Sequence, residues 1–320
     1  MAIGTGRKER IDELAERAGD IAVEKAKTED VGVSLAASAF RRLRRNPVFL
    51  LGAGIIVVFI VVAVLSPWLA PHDPAARELT DQVIKARNEI PPPQAGHPLG
   101  GDEQGRDLLS RLLVGSQQTL LVGVLATMFG LAGGLVMGTM AGALAGWVDS
   151  LVMRAVDVML SVPGILLAVS IAALFPRPTI FTVIVAVAMI QVPVFARLLR
   201  GSMLSQRASD HVLAARALGV KPRAVVFRHM LPNALGPVIV QSTLVLAIAI
   251  IDAAALSFLG LGNPDDNKPE WGQMLGNSQA VIDSHPHLAF LPAACIITVA
   301  LGFTLVGESL RDALDPKNRR

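Results

Sequence analysis

Charged residues and reactive side chains are scarce in this sequence. Only 17% of its 320 residues are charged and 52% are hydrophobic, whereas an ordinary soluble domain is about 25% charged. Such a chain has too few polar residues to cover a water-facing surface of its size. This composition excludes a soluble enzyme and favours a chain solvated mainly by lipid. The single cysteine excludes an internal disulfide and a cysteine-based zinc site.

Motifs for nucleotide binding and catalysis are also missing. A phosphate-binding P-loop needs a Gly-Lys pair, and the sequence has none. The stretch GGDEQGRD at 100–107 lacks the lysine and the hydroxyl residue, and its acidic groups would repel phosphate, so we expect a turn there. No paired carboxylates, Ser-His-Asp set or H-E-x-x-H motif favours an intramembrane enzyme. His285 and His287 have no third ligand nearby, and we predict no catalytic residue, cofactor or metal site in this chain.

Six long stretches of the sequence contain no charged residue and no histidine. A helix needs about 20 apolar residues to cross a hydrocarbon core about 30 Å thick, and each stretch is long enough. The stretch 112–148 exceeds one crossing, but two short helices there would leave little room for a turn, so it is assigned one span. The pattern predicts an all-α integral membrane protein with six transmembrane helices, at 46–71, 112–148, 158–176, 178–196, 230–251 and 288–307.

Basic residues cluster in three segments that an even number of spans places on one side of the membrane. They precede the first span, separate the fourth from the fifth, and follow the sixth. Because Lys and Arg favour cytoplasmic segments, we expect both termini inside and the loops 72–111 and 262–287 outside. The predicted organisation is a cytoplasmic amphipathic or disordered segment at 1–45, a first helix at 46–71, an outer loop at 72–111, a five-helix core at 112–312 and a cytoplasmic tail at 313–320. The apolar face of the first segment carries Ile11, Leu14, Ala18 and Ile21.

The inner segment 207–232 predicts two short helices joined by a bend along the membrane surface. Gly219 suits the left-handed residue that ends a helix, and Pro222 suits the first turn of the next one. Pro232 is expected to break or kink the chain just before the fifth span. Ala214 and Ala215 leave a small-residue surface that another backbone can approach. On geometry alone, an ordinary loop helix with a glycine cap remains an open interpretation.

This segment resembles the signature of the membrane subunits of ABC importers, E-A-A-x3-G-x9-I-x-L-P. Leu213 stands at the position of the glutamate and His229 at that of the isoleucine. The residues in register with the signature are Ala214, Ala215, Gly219, Leu231 and Pro232.

Further stretches resemble dipeptide and oligopeptide permeases, in the same order along the chain. They are HPLGGDEQGRDLLSRLLVGSQQTLLVG at 97–123, MRAVDVMLSVPG at 153–164, ALSFLGLG at 255–262, PEWGQML at 269–275 and LRDALDP at 310–316. Several motifs in order are far more specific than one. The resemblance covers roughly residues 38–316 and is to the C-type permease subunit of peptide importers.

The resemblance implies the type I permease architecture of ABC importers, in a bacterial cytoplasmic membrane and without catalysis of its own. In that family the signature segment is the coupling helix, which inserts into a cleft of an ATPase subunit. The implied partners are a second homologous permease, two ABC ATPases that bind ATP and Mg²⁺, an extracytoplasmic substrate-binding protein, a peptide substrate and membrane lipid, with no nucleic acid. Similar permeases import nickel chelates, glutathione or haem, and these cargoes stay open. An ATP-independent secondary transporter is less favoured, because the spans hold few acids and no inverted repeat is evident.

Polar residues inside the spans are candidates for the translocation path. Asp252 interrupts the fifth span, and a carboxylate in lipid is costly. It therefore either meets a substrate amine in a water-filled path or bonds to a neighbour at a helix contact. Gln191 and Gln241 either line the same path or hydrogen-bond across helices.

Two further pairs of residues carry structural expectations. Arg154 and Asp157 are three residues apart and are expected to pair on one helix face. Trp68 and Trp271 lie near predicted span ends, which is typical of the aromatic belts at membrane interfaces.

Overall fold

The computed structural model describes residues 35–83 and 89–314, and this part of the chain is mainly helical. It contains isolated β-bridges but no strand. The predicted amphipathic face at residues 11–21 and the tail beyond residue 314 lie outside the described residues. In chain order the helices are α1 Leu35–Leu43, α2 Pro47–Leu69, α3 Leu108–Leu144, α4 Gly146–Ser161, α5 Gly164–Ala172, α6 Ile180–Gln206, α7 Asp210–Ala217, α8 Pro222–Leu261, α9 Trp271–Asn277 and α10 His287–Leu314.

The long helices begin at side chains that satisfy their first backbone N–H groups. Asn46 accepts a hydrogen bond from the first turn of α2 at 2.9 Å. Asp107 does the same for α3 at 2.7 Å, and Thr179 forms a capping box at the start of α6. Caps of this kind each stabilise a helix by about 1 kcal/mol, so the polar residues that border the apolar stretches fix where the helices start.

Among the residues that the structure describes, five helices are long and apolar enough to cross a membrane: α2, α3, α6, α8 and α10. α3 has 37 residues, which is about 55 Å at the usual rise per residue. The long stretch at 112–148 is therefore not split into two short helices. α8 has 40 residues and includes wider, π-helical turns at Val225–Met230 and Ser257–Leu261, the second of which is kinked at Gly260, where φ is +78°.

The third predicted span, 158–176, is not the continuous helix that its composition suggests. The chain forms α4 and α5 instead, which are bent by 96° relative to each other. The break falls at Val162, which is extended at φ −94° and ψ 132° because the ring of Pro163 disfavours a helical residue before it. A count of charge-free residues does not detect this restriction, which acts on the backbone.

The packing of α3 on α6 shows that the bent pair is a crossing. The two helices run in the same direction, because their contacts advance together along both. The facing pairs are Gly130–Gln191, Gly134–Phe195, Gly138–Leu199 and Gly142–Met203. Two parallel neighbours must be joined by a chain that returns between them. α4 and α5 together therefore make one span, which brings the number among the described residues to six.

Glycine at every fourth position of α3 permits this close approach. A β-carbon at Gly138 would lie 2.9 Å from the β-carbon of Leu199, and one at Gly142 would lie 2.8 Å from that of Met203. At Gly134 the added carbon would collide with the side chain of Phe195. In lipid, where apolar burial drives little association, such small-residue faces hold helices together through close packing.

The helix ends form two opposite faces of the molecule. The loop face carries residues 70–83, 89–107 and 262–286, and its two loops contact each other where Gln104 Nε2 donates to Asp266 Oδ2 at 3.0 Å. The hairpin face carries residues 207–230, beside the end of α3, where Arg207 donates to the carbonyl of Ala143 at 2.9 Å. α3, α6 and α10 run from the loop face to the hairpin face, and α2 and α8 run the other way.

We expect Gly134→Ala to weaken the α3–α6 contact by about 1–3 kcal/mol, the usual cost of overpacking a tight site. Gly54→Ala is the matched control, because nothing lies within 4 Å of a β-carbon added at Gly54. Thermal unfolding of both variants in detergent is the measurement. Equal unfolding temperatures for the two variants would contradict the role assigned to Gly134.

Candidate functional site

The hairpin, residues 207–230, has the predicted geometry at its first bend. α7 ends before Gly219, whose φ of +76° lies in the left-handed region. The Val220 N–H donates to the carbonyl of Ala215 at 3.1 Å and closes the turn. The space around Gly219 is open. Backbone conformation, rather than packing, therefore requires glycine here.

One side of α7 is anchored to the membrane helices and the other side is bare. Val212 is fully buried in a cluster that contains Leu199 of α6 and Met230 of α8. On the opposite side, Leu213 is 49% exposed and Leu218 is 84% exposed. Exposed leucines at a turn form a surface suited to a partner, and the buried side connects that surface to two long helices.

The residues of the matched signature divide between these two sides. Ala214 and Gly219 are exposed, whereas Ala215 is buried against the bundle. Leu231 is half-buried and Pro232 is exposed, both in α8. The structure thus brings the alanines and the glycine into one hairpin, with the leucine and the proline at the root of the adjoining helix.

α8 continues through Pro232, so the break expected there is absent, and the irregularity of the helix lies in the turn just before it. The preceding turn is π-helical, and the Leu231 N–H donates to the carbonyl of Val226, five residues back. The wider turn therefore stands immediately before the residue that has no N–H to donate to the helix. Asn233 Nδ2 donates to the carbonyl of His229 at 2.7 Å and supplies a further bond at this site.

The three polar candidates for the translocation path do not lie together. Asp252 and Gln241 are eleven residues apart on α8, about three helical turns, so they share one face, and both are half-buried. Asp252 forms no hydrogen bond or ion pair with any residue that the structure describes. Gln191 instead extends from α6 toward Gly130 of α3. Its amide atoms have no hydrogen-bond partner within the described part of the chain.

A network of charges fastens the two loops of the loop face. Asp102 Oδ2 lies 2.7 Å from Arg106 Nε and 3.2 Å from Arg111 Nε, with all three side chains buried. Both arginines donate to the main-chain carbonyl of Asp266 at 3.0 Å. The expected turn in GGDEQGRD is present, with left-handed glycines at 100 and 105. Pairing keeps these charges tolerable inside the protein.

Trp271 is a core residue, and its assignment to an aromatic belt is wrong. The side chain is 1% exposed, and its ring N–H donates to the carbonyl of Leu112 at 2.9 Å. The ring lies against Gly115 and meets the Phe59 ring edge to face at 5.6 Å. α9 folds back onto the bundle and buries Trp271. The position of Trp271 near a predicted span end does not reveal this packing. Trp68 is 78% exposed.

The acidic residues of α4 pair with α6 rather than within their own helix. Asp157 lies 2.6 Å from Arg197 instead of pairing with Arg154. Asp149 accepts two hydrogen bonds from Arg200, at 2.5 and 2.7 Å. The expected local pair is wrong because the packing of α4 on α6 offers closer partners.

The sequence patterns do not predict a cluster of two histidines and two acidic residues on the loop face. The rings of His72 and His97 stack with centroids 4.1 Å apart. Asp107 Oδ1 lies 3.0 Å from Nδ1 of His97, and Glu78 Oε2 lies 2.8 Å from Nδ1 of His72. A hydrogen bond to the carbonyl of Gly96 raises the pKa of His72, and the charges of the two acids add to the shift. The histidines are 25 residues apart, and no local spacing predicts their contact.

Solved structures with a similar fold define the class of the molecule. A chain of the MetNI methionine ABC transporter, in inward-facing conformations, superimposes with a TM-score of 0.53 at 19% identity, over 64% of this chain and 96% of that one. A chain of an amino acid ABC transporter gives 0.50 at 17% identity, over 62% and 92%. The fold is therefore that of an ABC importer permease.

Sequence comparisons place the chain in its family. Residues 134–320 match the family described as binding-protein-dependent transport system inner membrane component, and residues 34–92 match the N-terminal TM domain of oligopeptide transport permease C. The dipeptide transport system permease protein DppC of Alkalihalophilus pseudofirmus is 40% identical over 89% of this chain and 91% of its own. The probable D,D-dipeptide transport system permease protein DdpC of Escherichia coli is 41% identical, over 86% and 89%. The glutathione transport system permease protein GsiD of Escherichia coli is 40% identical, over 87% and 89%.

The chain thus belongs to the family of binding-protein-dependent transport system inner membrane components. The resemblance predicted from the motifs is confirmed. The protein is a multi-pass protein of the bacterial inner membrane, and its family implies an ATPase and a binding protein as partners.

Glu270 begins α9 at the contact between the loop face and the bundle. Its carboxylate accepts a hydrogen bond from the N–H of Gly272 at 3.1 Å. Burial raises the pKa of Glu270, against the opposing effect of hydrogen bonds from Ser257 and the backbone. The folded protein therefore binds this proton more tightly than the unfolded chain does.

This shift predicts a pH-dependent effect of Glu270→Gln. The stabilisation from a carboxyl with a raised pKa is complete below its ordinary value of 4.5 and is lost as the pH rises through the native value. Glutamine keeps an acceptor for Gly272 and carries no charge. We expect the thermal stability of the variant to improve relative to wild type between about pH 5 and pH 8. A difference that stays constant over this range would contradict the prediction, and exposed Glu308→Gln is the control.

Proposed function

We propose that the chain is one of two homologous permease subunits of an ATP-driven importer of dipeptides or oligopeptides. Two separate ATPases bind ATP and Mg²⁺, an extracytoplasmic protein delivers the substrate, and this chain supplies half of the path without catalysis of its own. The observation that carries the proposal is the hairpin, whose exposed apolar tip is fastened by its buried side to α6 and α8.

The direction of the chain in the membrane follows from its basic residues. The segments around the hairpin carry the excess of Lys and Arg, which favours the cytoplasm for the hairpin face. The loop face then meets the binding protein outside. This orientation puts the hairpin within reach of an ATPase in the cytoplasm.

The hairpin transmits movement through packed side chains. Val212 and Val225 share one buried cluster with Phe195, so a displacement of α7 acts on α6 and α8 together. Packed helices move as rigid bodies between discrete arrangements, which suits a rocking motion that exposes the path to alternate sides. Closure of the ATPase pair on ATP drives one arrangement, and hydrolysis restores the other.

The absence of the signature glutamate leaves an apolar contact at the hairpin. Leu213 is 49% exposed at the position of that acid. Together with Leu218 it offers the ATPase a hydrophobic surface, where burial of each leucine contributes about 1.5–3 kcal/mol. The ATPase cleft that receives this hairpin is correspondingly apolar.

The substrate class rests on the relatives and on one side chain. Two of the relatives are named as dipeptide permeases and one as a glutathione permease. Asp252, which has no partner among the described residues, is suited to a peptide amine. Glutathione also carries an α-amino group and is the second candidate cargo, supported by the similar identity of that relative.

Leu218→Asp is expected to separate the ATPase from the permease. Loss of an exposed anchor at the centre of an interface costs about 2 kcal/mol, or a roughly 30-fold weaker association. Leu174→Asp is the matched control, since Leu174 is 80% exposed but lies in the turn between α5 and α6. The measurement is the amount of ATPase retained when the assembled transporter is purified. Full retention in Leu218→Asp would exclude the hairpin as the docking element.

Asp252→Asn is expected to reduce peptide uptake by about tenfold, because a charge-assisted bond to the substrate amine is lost. Asp252→Glu keeps the charge and is expected to retain more activity. Uptake into proteoliposomes of the full transporter is measured for a dipeptide and for its N-acetylated form. With the acetylated peptide, which has no amine charge, Asp252→Asn and wild type should take up the peptide at similar rates. An equal loss for both peptides would show that Asp252 acts in helix packing.

A further inference from the structure

Four side chains from two segments of the loop face converge on one point. His72 and Glu78 follow α2, and His97 and Asp107 precede α3. The Glu78 Oε2 atom lies 2.8 Å from Nδ1 of His72 and 3.8 Å from Nε2 of His97. One nitrogen from each histidine and one carboxylate oxygen therefore face each other across a small gap.

Hydrogen bonds fix which nitrogen of each histidine is available. Nε2 of His72 lies 2.9 Å from the carbonyl oxygen of Gly96, which only accepts, so Nε2 carries the proton. Nδ1 of His97 lies 3.0 Å from a carboxylate oxygen of Asp107, which likewise accepts. When both rings are neutral, the lone pairs are on Nδ1 of His72 and Nε2 of His97, the nitrogens that lie 2.8 and 3.8 Å from Glu78 Oε2.

With both rings neutral, this arrangement places three acceptors together. Lone pairs of two imidazoles and a carboxylate repel one another unless a cation lies among them, either a proton on Nδ1 of His72 or a metal ion. Asp107 behind His97 repeats the carboxylate–histidine pairing that orients the histidine ligands of metal sites. His72, His97 and Asp107 each offer a ligand atom within 4.8 Å of the others.

The ligand set selects the kind of cation. Imidazole nitrogen suits zinc, copper and nickel, whereas calcium and magnesium prefer oxygen ligands alone. Two histidines and one carboxylate form a three-ligand zinc set with an open fourth position. The Glu78 side chain is 46% exposed, which leaves a route from the solvent.

We infer that His72, His97 and Glu78 form a binding site for a divalent transition metal of the zinc type, with Asp107 orienting His97. The ion joins the segment after α2 to the turn before α3, two segments otherwise linked there by hydrogen bonds. Because Asp107 also caps α3 at 2.7 Å from the Ser110 nitrogen, the ion braces the start of that helix.

The test uses the full chain in lipid nanodiscs, purified with a tag that contains no histidine and stripped with a chelator. Zinc alone is titrated by calorimetry at about pH 7.5, where free histidine is neutral. We expect one ion per chain at this site and a higher unfolding temperature with zinc. Cobalt in place of zinc is expected to give the visible absorption of a four-coordinate site.

Three variants and one control distinguish the site from incidental binding. His72→Gln and Glu78→Gln each remove a ligand and should weaken zinc binding by at least about 10–100-fold. Asp107→Asn keeps a good helix cap and is expected to weaken binding by about 10–100-fold through the loss of ligand orientation. His285→Gln removes a histidine from the same face, outside the cluster, and should bind zinc as wild type does.

Glu78→Gln also guards against misfolding, because its exposed side chain is not needed for packing. Its unfolding temperature without metal should match that of wild type. If wild type binds no zinc below about 100 μM, or if the three variants bind it as tightly as wild type, the proposal is overturned. The cluster would then be a proton-bridged ion pair of His72 with Glu78.

Discussion

The close packing of α6 side chains on the glycine face of α3 is the constraint on which the rest of the fold depends. Gly130, Gly134, Gly138 and Gly142 give one helix a face without side chains, and the other presses its own side chains into it. Because the contact is parallel, the chain between the helices must cross back, and the bent pair α4 and α5 makes this return. The shared end of α3 and α6 then becomes the platform on which the hairpin rests.

Much of this fold can be predicted from the sequence, because a lipid-crossing helix must satisfy its own backbone and so requires a long apolar run. The first bend of the hairpin is equally predictable, since a left-handed residue at Gly219 is a local demand. The sequence interpretation failed where a local restriction or a distant partner decided the outcome. Val162 was overlooked inside an apolar run, and the neighbours of Trp271, Asp157 and His72 come from segments that only the completed fold brings near.

The two faces of the molecule differ in how firmly they are built. On the loop face, buried charges of Asp102, Arg106 and Arg111 tie the two loops together, and the histidine cluster lies beside them. On the hairpin face, apolar contacts fasten one side of α7 and leave the other bare. A tightly linked loop face and a partly bare hairpin face suit the proposed subunit, in which an ATPase acts on the hairpin face.

The spacing of the glycines in α3 has a mechanical consequence. Each side chain of α6 that occupies a glycine position is blocked by larger residues on either side. Sliding along the shared axis would thus proceed only in steps of four residues, about 6 Å each. Smaller sliding movements between α3 and α6 are resisted, and the two helices move together as one rigid body. Any hinge movement must then occur at the ends of this rigid pair. One such end is the junction of α3 and α4 at Ala145 and Gly146, where both residues have a positive φ.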